Sequence, residues 1–365
     1  MSLLDLGWAP FFARAFATFL ETLASPGASL PPVEPARVVA PGRGLYRVAT
    51  AEGELTASLP GRLRAAGEIP AVGDWVAVAA APASAGGRAV IRGLLPRRTA
   101  ISRKVAGPRS QEQVLAANAD TVFLVLGLDG DFNLRRLERL VATAAASGAE
   151  AAVLLTKADL AGDLPGRRLA AAAVAPGLPV HAVSAVAPGG LAELRPYLAP
   201  GRTLVLLGSS GVGKSTLVNR LAGREILRTA PVRRGDDRGR HTTTHRELFR
   251  LPGGALVIDG PGLREVQLWG EAGEALSAAF ADLEELARAC RFRDCRHRDE
   301  PGCAVRRAVE EGRLDGGRLE SQRALERELA YLERRRDAPE ARRRERRQGA
   351  EYKRIQRAKE ERGRR

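Results

Sequence analysis

The chain has 365 residues, enough for two or three domains that each bury a core of their own. Its 58 lysines and arginines outnumber 43 acidic residues for a formal net charge of +15, which calls for an acidic partner, nucleic acid ahead of membrane. No apolar run reaches the roughly 20 residues needed to span a bilayer, and the three cysteines, all within residues 290–303, exclude an even disulfide framework. The expected compartment is the cytoplasm.

In chain order, residues 1–35 read as an N-terminal helical extension. The opening "MSLLDLGWAPFFARAFATFL" has no basic n-region and no clear cleavage site, so it is read as an amphipathic helix packed on its own domain rather than a signal peptide. Residues 36–110 hold short β-rich pieces, "ARVVA", "GLYRVAT", "ELTASLP", "DWVAVAA" and "RAVIRGLLP". Gly, Pro and Asp separate them, as in a small barrel of about five strands. From 111 to 274 the texture changes. The buried-strand runs "DTVFLVLGL", "EAAVLLTKADL" and "LPVHAVSAV" alternate with helical stretches such as "NLRRLERLVATAAASGA", a pattern that predicts a parallel sheet covered on both faces. Residues 275–332 are helical, charged and interrupted by a Cys/His cluster. Residues 333–365 form an Arg-rich tail, with 15 basic and 6 acidic residues from 334 onward. Solvated disorder and RNA binding are both open to it.

The stretch "LVLLGSSGVGKSTLVNRL" at 204–221 carries the chemistry. Gly208, Ser209, Ser210, Gly211, Val212, Gly213, Lys214 and Ser215 match the phosphate-binding loop in full, between a strand and a helix. Its glycines allow successive backbone N–H groups, through Thr216, to turn toward phosphates, and the helix N-terminus adds positive charge. Lys214 is expected on the β- and γ-phosphates and Ser215 on Mg²⁺. Only five lysines occur in this arginine-rich chain, and Lys214 and Lys157 both fall in nucleotide motifs. A planar guanidinium cannot replace a compact ammonium there.

"TKAD", Thr156, Lys157, Ala158 and Asp159, resembles the guanine-reading motif of GTPases. Asp159 would accept from guanine N1–H and the 2-amino group, donors that adenine lacks, which excludes a DNA-acting ATPase. Thr156 replaces the usual asparagine and with it the amide that ties this loop to the phosphate loop. Ser184 and Ala185, in "VSA", resemble the second base-contacting loop. Asp259 and Gly262, in "DGPG", resemble the element that meets Mg²⁺ and the γ-phosphate. Between them and the phosphate loop, "RRGDDRGRHTTTHREL" is polar and glycine-rich, as a mobile loop should be. There Thr243, ahead of Thr242, is expected on Mg²⁺. Leu263 stands where many GTPases carry a water-orienting glutamine, and His241 is the candidate to take that role. His181 and His245 are read as structural.

The motif order, TKAD before the phosphate loop and DGPG after it, is that of a circularly permuted GTPase. With a barrel in front and a Cys/His cluster behind, the chain resembles the ribosome small subunit-dependent GTPase A (RsgA) family over roughly 36–330. That resemblance includes "PAVGDWV", "AANADTVFLV" and "GRHTTTHREL". It implies an OB-fold barrel, a monomer that binds GTP or GDP, and contact with the small ribosomal subunit and 16S rRNA during late maturation. Cys290, Cys295, His297 and Cys303 supply three thiolates and an imidazole, a closed tetrahedral set suited to structural Zn²⁺. The metal is expected to staple a domain too small and too charged to bury much core. A second functional reading is a GTP-gated rRNA-binding module whose hydrolysis is incidental.

Overall fold

Short strands with buried runs build the first unit. In the computed structural model, which describes residues 2–23, 32–42, 44–80, 88–104, 112–227, 246–259, 272–332 and 334, five strands close a barrel. These are β1 (Val33–Pro41), β2 (Leu45–Ala49), β3 (Glu54–Ser58), β4 (Trp75–Ala79) and β5 (Ala89–Leu94), in the order β1-β2-β3-β5-β4. The β3–β5 pairing is parallel and the other four are antiparallel. Val38, Val48, Ala57, Val76, Val78 and Ile91 fill the interior, and the short helix α1′ of residues Gly61–Ala65 covers one end with Leu63. This is the expected OB-fold.

The N-terminal helix α1 (Pro10–Leu23) packs on the barrel. Phe12 is buried against Trp75 at 5.8 Å between ring centroids, and Trp8 meets the same indole edge-on at 4.6 Å. A hairpin that the sequence did not announce follows the barrel, β6 (Ala100–Lys104) paired antiparallel with β7 (Glu112–Ala117). The domain boundary expected at residue 110 falls between these two strands. Their pairing across it makes the hairpin one unit.

The third element is a six-stranded sheet of β8 (Thr121–Gly127), β9 (Glu150–Thr156), β10 (Val180–Ala182), β11 (Thr203–Leu207), β12 (Glu247–Arg250) and β13 (Leu256–Asp259). Its spatial order is β10-β9-β8-β11-β13-β12, and only β12 runs antiparallel to its neighbour. Every residue of β8 and β11 is buried, as a strand covered on both faces requires. Val122, Leu124 and Leu126 face α2 (Leu134–Ser147) and α3 (Leu164–Val174), while Phe123 and Val125 face α4 (Lys214–Ala222). Asn133 caps α2 by accepting from the Arg136 N–H at 3.0 Å, and Asp163 caps α3 in the same way from Gly166. The permuted order places β11 between β8 and β13, so the motif loops gather at the carboxyl ends of neighbouring strands, where open α/β sheets bind ligands.

Helices α5 (Ala272–Ala279), α6 (Ala281–Ala287), α7 (Ala304–Glu310) and α8 (residues 316–332) close the described chain. The expectation that these residues bury little core is corrected here. Leu276, Phe280, Leu283, Val305, Leu319 and Leu325 belong to the same buried cluster as Leu137 and Leu140 of α2. A buried guanidinium fastens the join. Arg318 makes a bidentate pair with Asp282 at 2.7 Å and 2.7 Å, donates to Glu138 of α2 at 3.2 Å, and lies 4.7 Å over the Phe280 ring.

At the other end, Arg37 of β1 is buried to 1% exposure. It donates through Nε to the Gly73 carbonyl at 3.2 Å, through Nη2 to the Asn118 carbonyl at 3.1 Å, and through Nη1 to the Leu6 carbonyl. Gly73 has φ +89°, and a Cβ there would lie 2.1 Å from the Ala117 carbonyl oxygen, so no other residue fits. Beside it, Asp74 is buried, accepts from the Ala71 N–H at 2.7 Å and pairs with Arg97 through both carboxylate oxygens at 2.7 Å. Arg37→Ala is expected to lower the unfolding free energy by about 3 kcal/mol, because unmet buried carbonyls each cost about 1–3 kcal/mol. Arg37→Lys should recover only part of this, since one ammonium cannot span the three acceptors. Denaturant unfolding followed by the fluorescence of Trp8 and Trp75 measures both.

Candidate active site and metal centre

The phosphate loop bridges β11 and α4, with Val212 buried beneath it and Ser210 and Gly211 exposed. Lys214 opens the helix with its side chain buried, and its ammonium lies 2.6 Å from the Gly208 carbonyl and beside that of Ser209. Ser215 is half-buried and Thr216 exposed on the first turn, where the N–H groups have no partners within the helix. Asp259 ends β13 and is 5% exposed. Because β13 pairs with β11, its carboxylate belongs to the strand next to the phosphate loop.

Thr156 overturns one expectation. Its hydroxyl reaches the Val212 carbonyl at 2.5 Å and the Leu126 carbonyl at 3.0 Å. The tie between the base-reading and phosphate loops, which the loss of asparagine was expected to remove, is made by a hydroxyl instead. Lys157 adds a second tie, donating to the Gly211 carbonyl at 2.8 Å and to Asp129 from a left-handed backbone at φ 59°. The Ala158 N–H donates to the Val183 carbonyl at 3.2 Å, which joins the two base loops. The buried Ser184 hydroxyl donates to Asp159 Oδ1 at 2.5 Å and accepts from the N–H groups of Val186 and Ala187. It fixes the carboxylate that should meet guanine, with Ala185 half-buried beside it. His181 contacts Glu193 and Tyr197 at 2.9 Å each, which occupies both ring nitrogens and makes it structural. His241, Thr242, Thr243, His245, Gly262 and Leu263 lie outside the described residues.

The four metal-ligand candidates converge. One donor atom from each of Cys290, Cys295, His297 and Cys303 lies within 4.8 Å of the others. Cys290 Sγ and Cys303 Sγ are 3.9 Å apart, and His297 Nδ1 is 3.6 Å and 3.4 Å from them. A tetrahedron with Zn–S bonds of about 2.3 Å has S···S edges of about 3.8 Å, so the set fits Zn²⁺ closely. Backbone N–H groups of Ala304 and Arg306 donate to Cys290 and Cys303 sulfur at 3.3 Å and 3.4 Å, orienting the thiolates. Burial and the nearby Arg323 guanidinium hold His297 below its ordinary value, which favours the neutral imidazole that a metal takes.

The family model described as RsgA GTPase matches residues 94–269. The small ribosomal subunit biogenesis GTPase RsgA of Opitutus terrae is 49% identical over 349 residues, 92% of each chain. Its counterpart from Syntrophotalea carbinolica is 44% identical over 88% of each. The crystal structure of YjeQ from Thermotoga maritima superposes with a TM-score of 0.59 at 26% identity, covering 82% of this chain and 99% of that one. The chain belongs to the RsgA GTPase family. The fold of YloQ, described as a circularly permuted GTPase, matches as well, with a TM-score of 0.54.

In this RsgA GTPase the loops expected to bind phosphate and base are joined directly, since Thr156 and Lys157 donate to the Val212 and Gly211 carbonyls. Sequence reasoning missed Asp129, Asp131 and Arg136. Ser209 Oγ donates to Asp131 at 2.6 Å, and Arg136 bonds both of them. The available signal was "LDGDFN" leaving the strand beside the phosphate loop, with two carboxylates in six residues.

Two measurements check this site. Asp159→Asn should shift preference from guanine toward xanthine nucleotides, whose oxygen at position 2 accepts from an amide; equal affinity of the unmodified protein for ATP and GTP would refute the guanine assignment. Elemental analysis of purified protein should find one zinc per chain, lost in Cys295→Ala. Stoichiometric zinc retained in a Cys290/Cys303 double alanine variant would refute the ligand set.

Proposed function

We propose that this GTPase acts in the cytoplasm, as a monomer, in a late step of small ribosomal subunit maturation. It would bind 16S rRNA and couple GTP hydrolysis to a checkpoint and the release of factors. The curated relatives are named for small ribosomal subunit biogenesis, which supports the pathway. The observation that carries a nucleotide-driven reading is the pair of bonds from Thr156 and Lys157 to the Val212 and Gly211 carbonyls, which make base recognition and phosphate binding one unit. No described helix is long and apolar enough to cross a membrane.

In this reading the backbone of residues 208–216 cradles the phosphates and Lys214 neutralises them. Asp159 accepts from guanine, while Lys157 lies along the base and Ser184 and Ala185 close its far edge. Ser215 and Thr243, with Asp259 behind them, would hold the Mg²⁺ that accompanies GTP and offsets charge on the β- and γ-oxygens. Gly262 meets the γ-phosphate and His241 orients the attacking water in place of the glutamine that Leu263 displaces. The barrel and the zinc domain are the parts that would grip rRNA, and the Arg-rich tail (333–365) is open to the same role. Aromatic residues make up only 4% of the chain, which favours phosphate contacts over base stacking.

Intrinsic turnover should be slow and rise at least tenfold with purified small subunits, a change of about 1.4 kcal/mol in the barrier. The stimulation should fade with added salt as counterions compete for the phosphates. His241→Ala should keep GTP and subunit binding yet lose most of the stimulated rate, as a group used only in the transition state does. Turnover that is indifferent to subunits, with binding gated by GTP, would favour the rRNA-binding module to which Leu263 points.

A further inference from the structure

The loop leaving β8 places two carboxylates against the nucleotide site. Asp131 accepts from Ser209 of the phosphate loop at 2.6 Å and from Arg136 at 2.6 Å. Asp129 faces the Lys157 ammonium, which also donates to the Gly211 carbonyl at 2.8 Å. A Cβ at Gly127 would stand 2.6 Å from Asp129 Oδ1, so a larger residue there would push this carboxylate aside. Both partners are half-buried, with side-chain exposures of 24% for Lys157 and 34% for Asp129. Burial pushes the Asp129 carboxyl up, but the Lys157 ammonium and the Asp131 N–H outweigh it and hold the group below the ordinary carboxylate range. It is therefore an anion at neutral pH.

We propose that Asp129 is a positioning residue of the guanine-nucleotide site, fixing the Lys157 ammonium against the phosphate loop before the nucleotide arrives. The inference rests on the guanine reading above. A lysine on a four-carbon stem loses considerable rotamer freedom when a ligand immobilises it, and a carboxylate that has already immobilised it removes that cost from binding. An ammonium has three donors. Asp129 and the Gly211 carbonyl take two, which sets the direction of the third and leaves it for the nucleotide. The left-handed backbone at Lys157, uncommon for a residue with a side chain, serves the same end by turning the stem back over the loop. Asp131 sits on the same loop but acts through Ser209, so it supplies an internal comparison.

The test is a double-mutant cycle on GDP affinity, measured with a fluorescent GDP on the full chain. Asp129→Ala should weaken GDP about tenfold in the parent and by less than twofold in Lys157→Ala, because the carboxylate has nothing left to position. Asp129→Asn should weaken GDP less than the alanine change, since an amide oxygen still accepts from the ammonium. If Asp129→Ala does not fold, the asparagine variant carries the cycle. Asp131→Asn should lose the same factor with or without Lys157. Equal losses for the Asp129 variants in both backgrounds would overturn the proposal, as would no loss in Asp129→Ala where Lys157→Ala alone weakens binding. In that last case the guanine reading stands. If Lys157→Ala and Asp159→Asn both leave GDP affinity unchanged, the guanine reading falls and this inference with it.

Discussion

One guanidinium, donating to three backbone carbonyls and, among the described residues, facing no carboxylate within bonding distance, fixes how the parts of this molecule meet. Arg37 collects Leu6 from the N-terminal segment, Gly73 from the barrel and Asn118 from the start of the sheet. Burial lowers its pKa to about 10, so it remains charged at neutral pH and its donors have to be met. Carbonyl oxygens meet them, and Trp75 lies 5.7 Å beneath its plane. Asn118 reinforces the knot from a left-handed backbone, donating through Nδ2 to the same Gly73 carbonyl at 3.1 Å and accepting from the Arg98 N–H. The barrel and the sheet thereby share a rigid joint instead of a linker.

A corresponding joint sits at the other side of the GTPase sheet, on α2. The first turn of that helix touches the phosphate loop through Arg136 and Ser209, and Glu138 beyond it pairs with Arg318 and Arg135. Glu138 is itself 1% exposed, with Oε2 lacking a protein partner. Removing one arginine from such a cluster leaves a buried charge poorly compensated, which costs more than the pair gains. The C-terminal helices are thus committed to α2 by electrostatics as well as by the shared apolar cluster. Anything that shifts the phosphate loop acts on a helix that is also the floor of the zinc domain.

Much of this was legible in the residues. The barrel strands, the strand–loop–helix around residues 208–215 and the convergence of the four Cys/His side chains all follow from spacing and residue type, because each depends on contacts local in sequence or on chemistry with few alternatives. The β6–β7 hairpin did not, since Gly107-Pro108 marks a turn between the strands but not a tight two-residue hairpin, and "AISRK" and "EQVLAA" alternate only weakly. The role of Thr156 was misread because a motif comparison registers a missing amide and not the hydroxyl that reaches the same acceptor. Asp129, Asp131 and Arg37 were invisible for another reason. Charged residues are ordinarily solvated, and nothing in the sequence says that an aspartate in a loop or an arginine in a strand is aimed inward at a partner far along the chain.

The strand order also governs how the chain comes together in time. During synthesis β8, β9 and β10 emerge first and can pair among themselves, but the flank of β8 that finally receives β11 stays unpaired until some twenty further residues have followed β10. A largely apolar strand with a bare hydrogen-bonding edge is a template for unwanted pairing. Every residue of the Arg37–Asn118 knot has been synthesised by then, so the barrel can be clamped beside the root of β8. A folded neighbour at that root restricts what else can approach the waiting edge, and β8, β9 and β10 leave synthesis before β11 and the glycine loop that follows it.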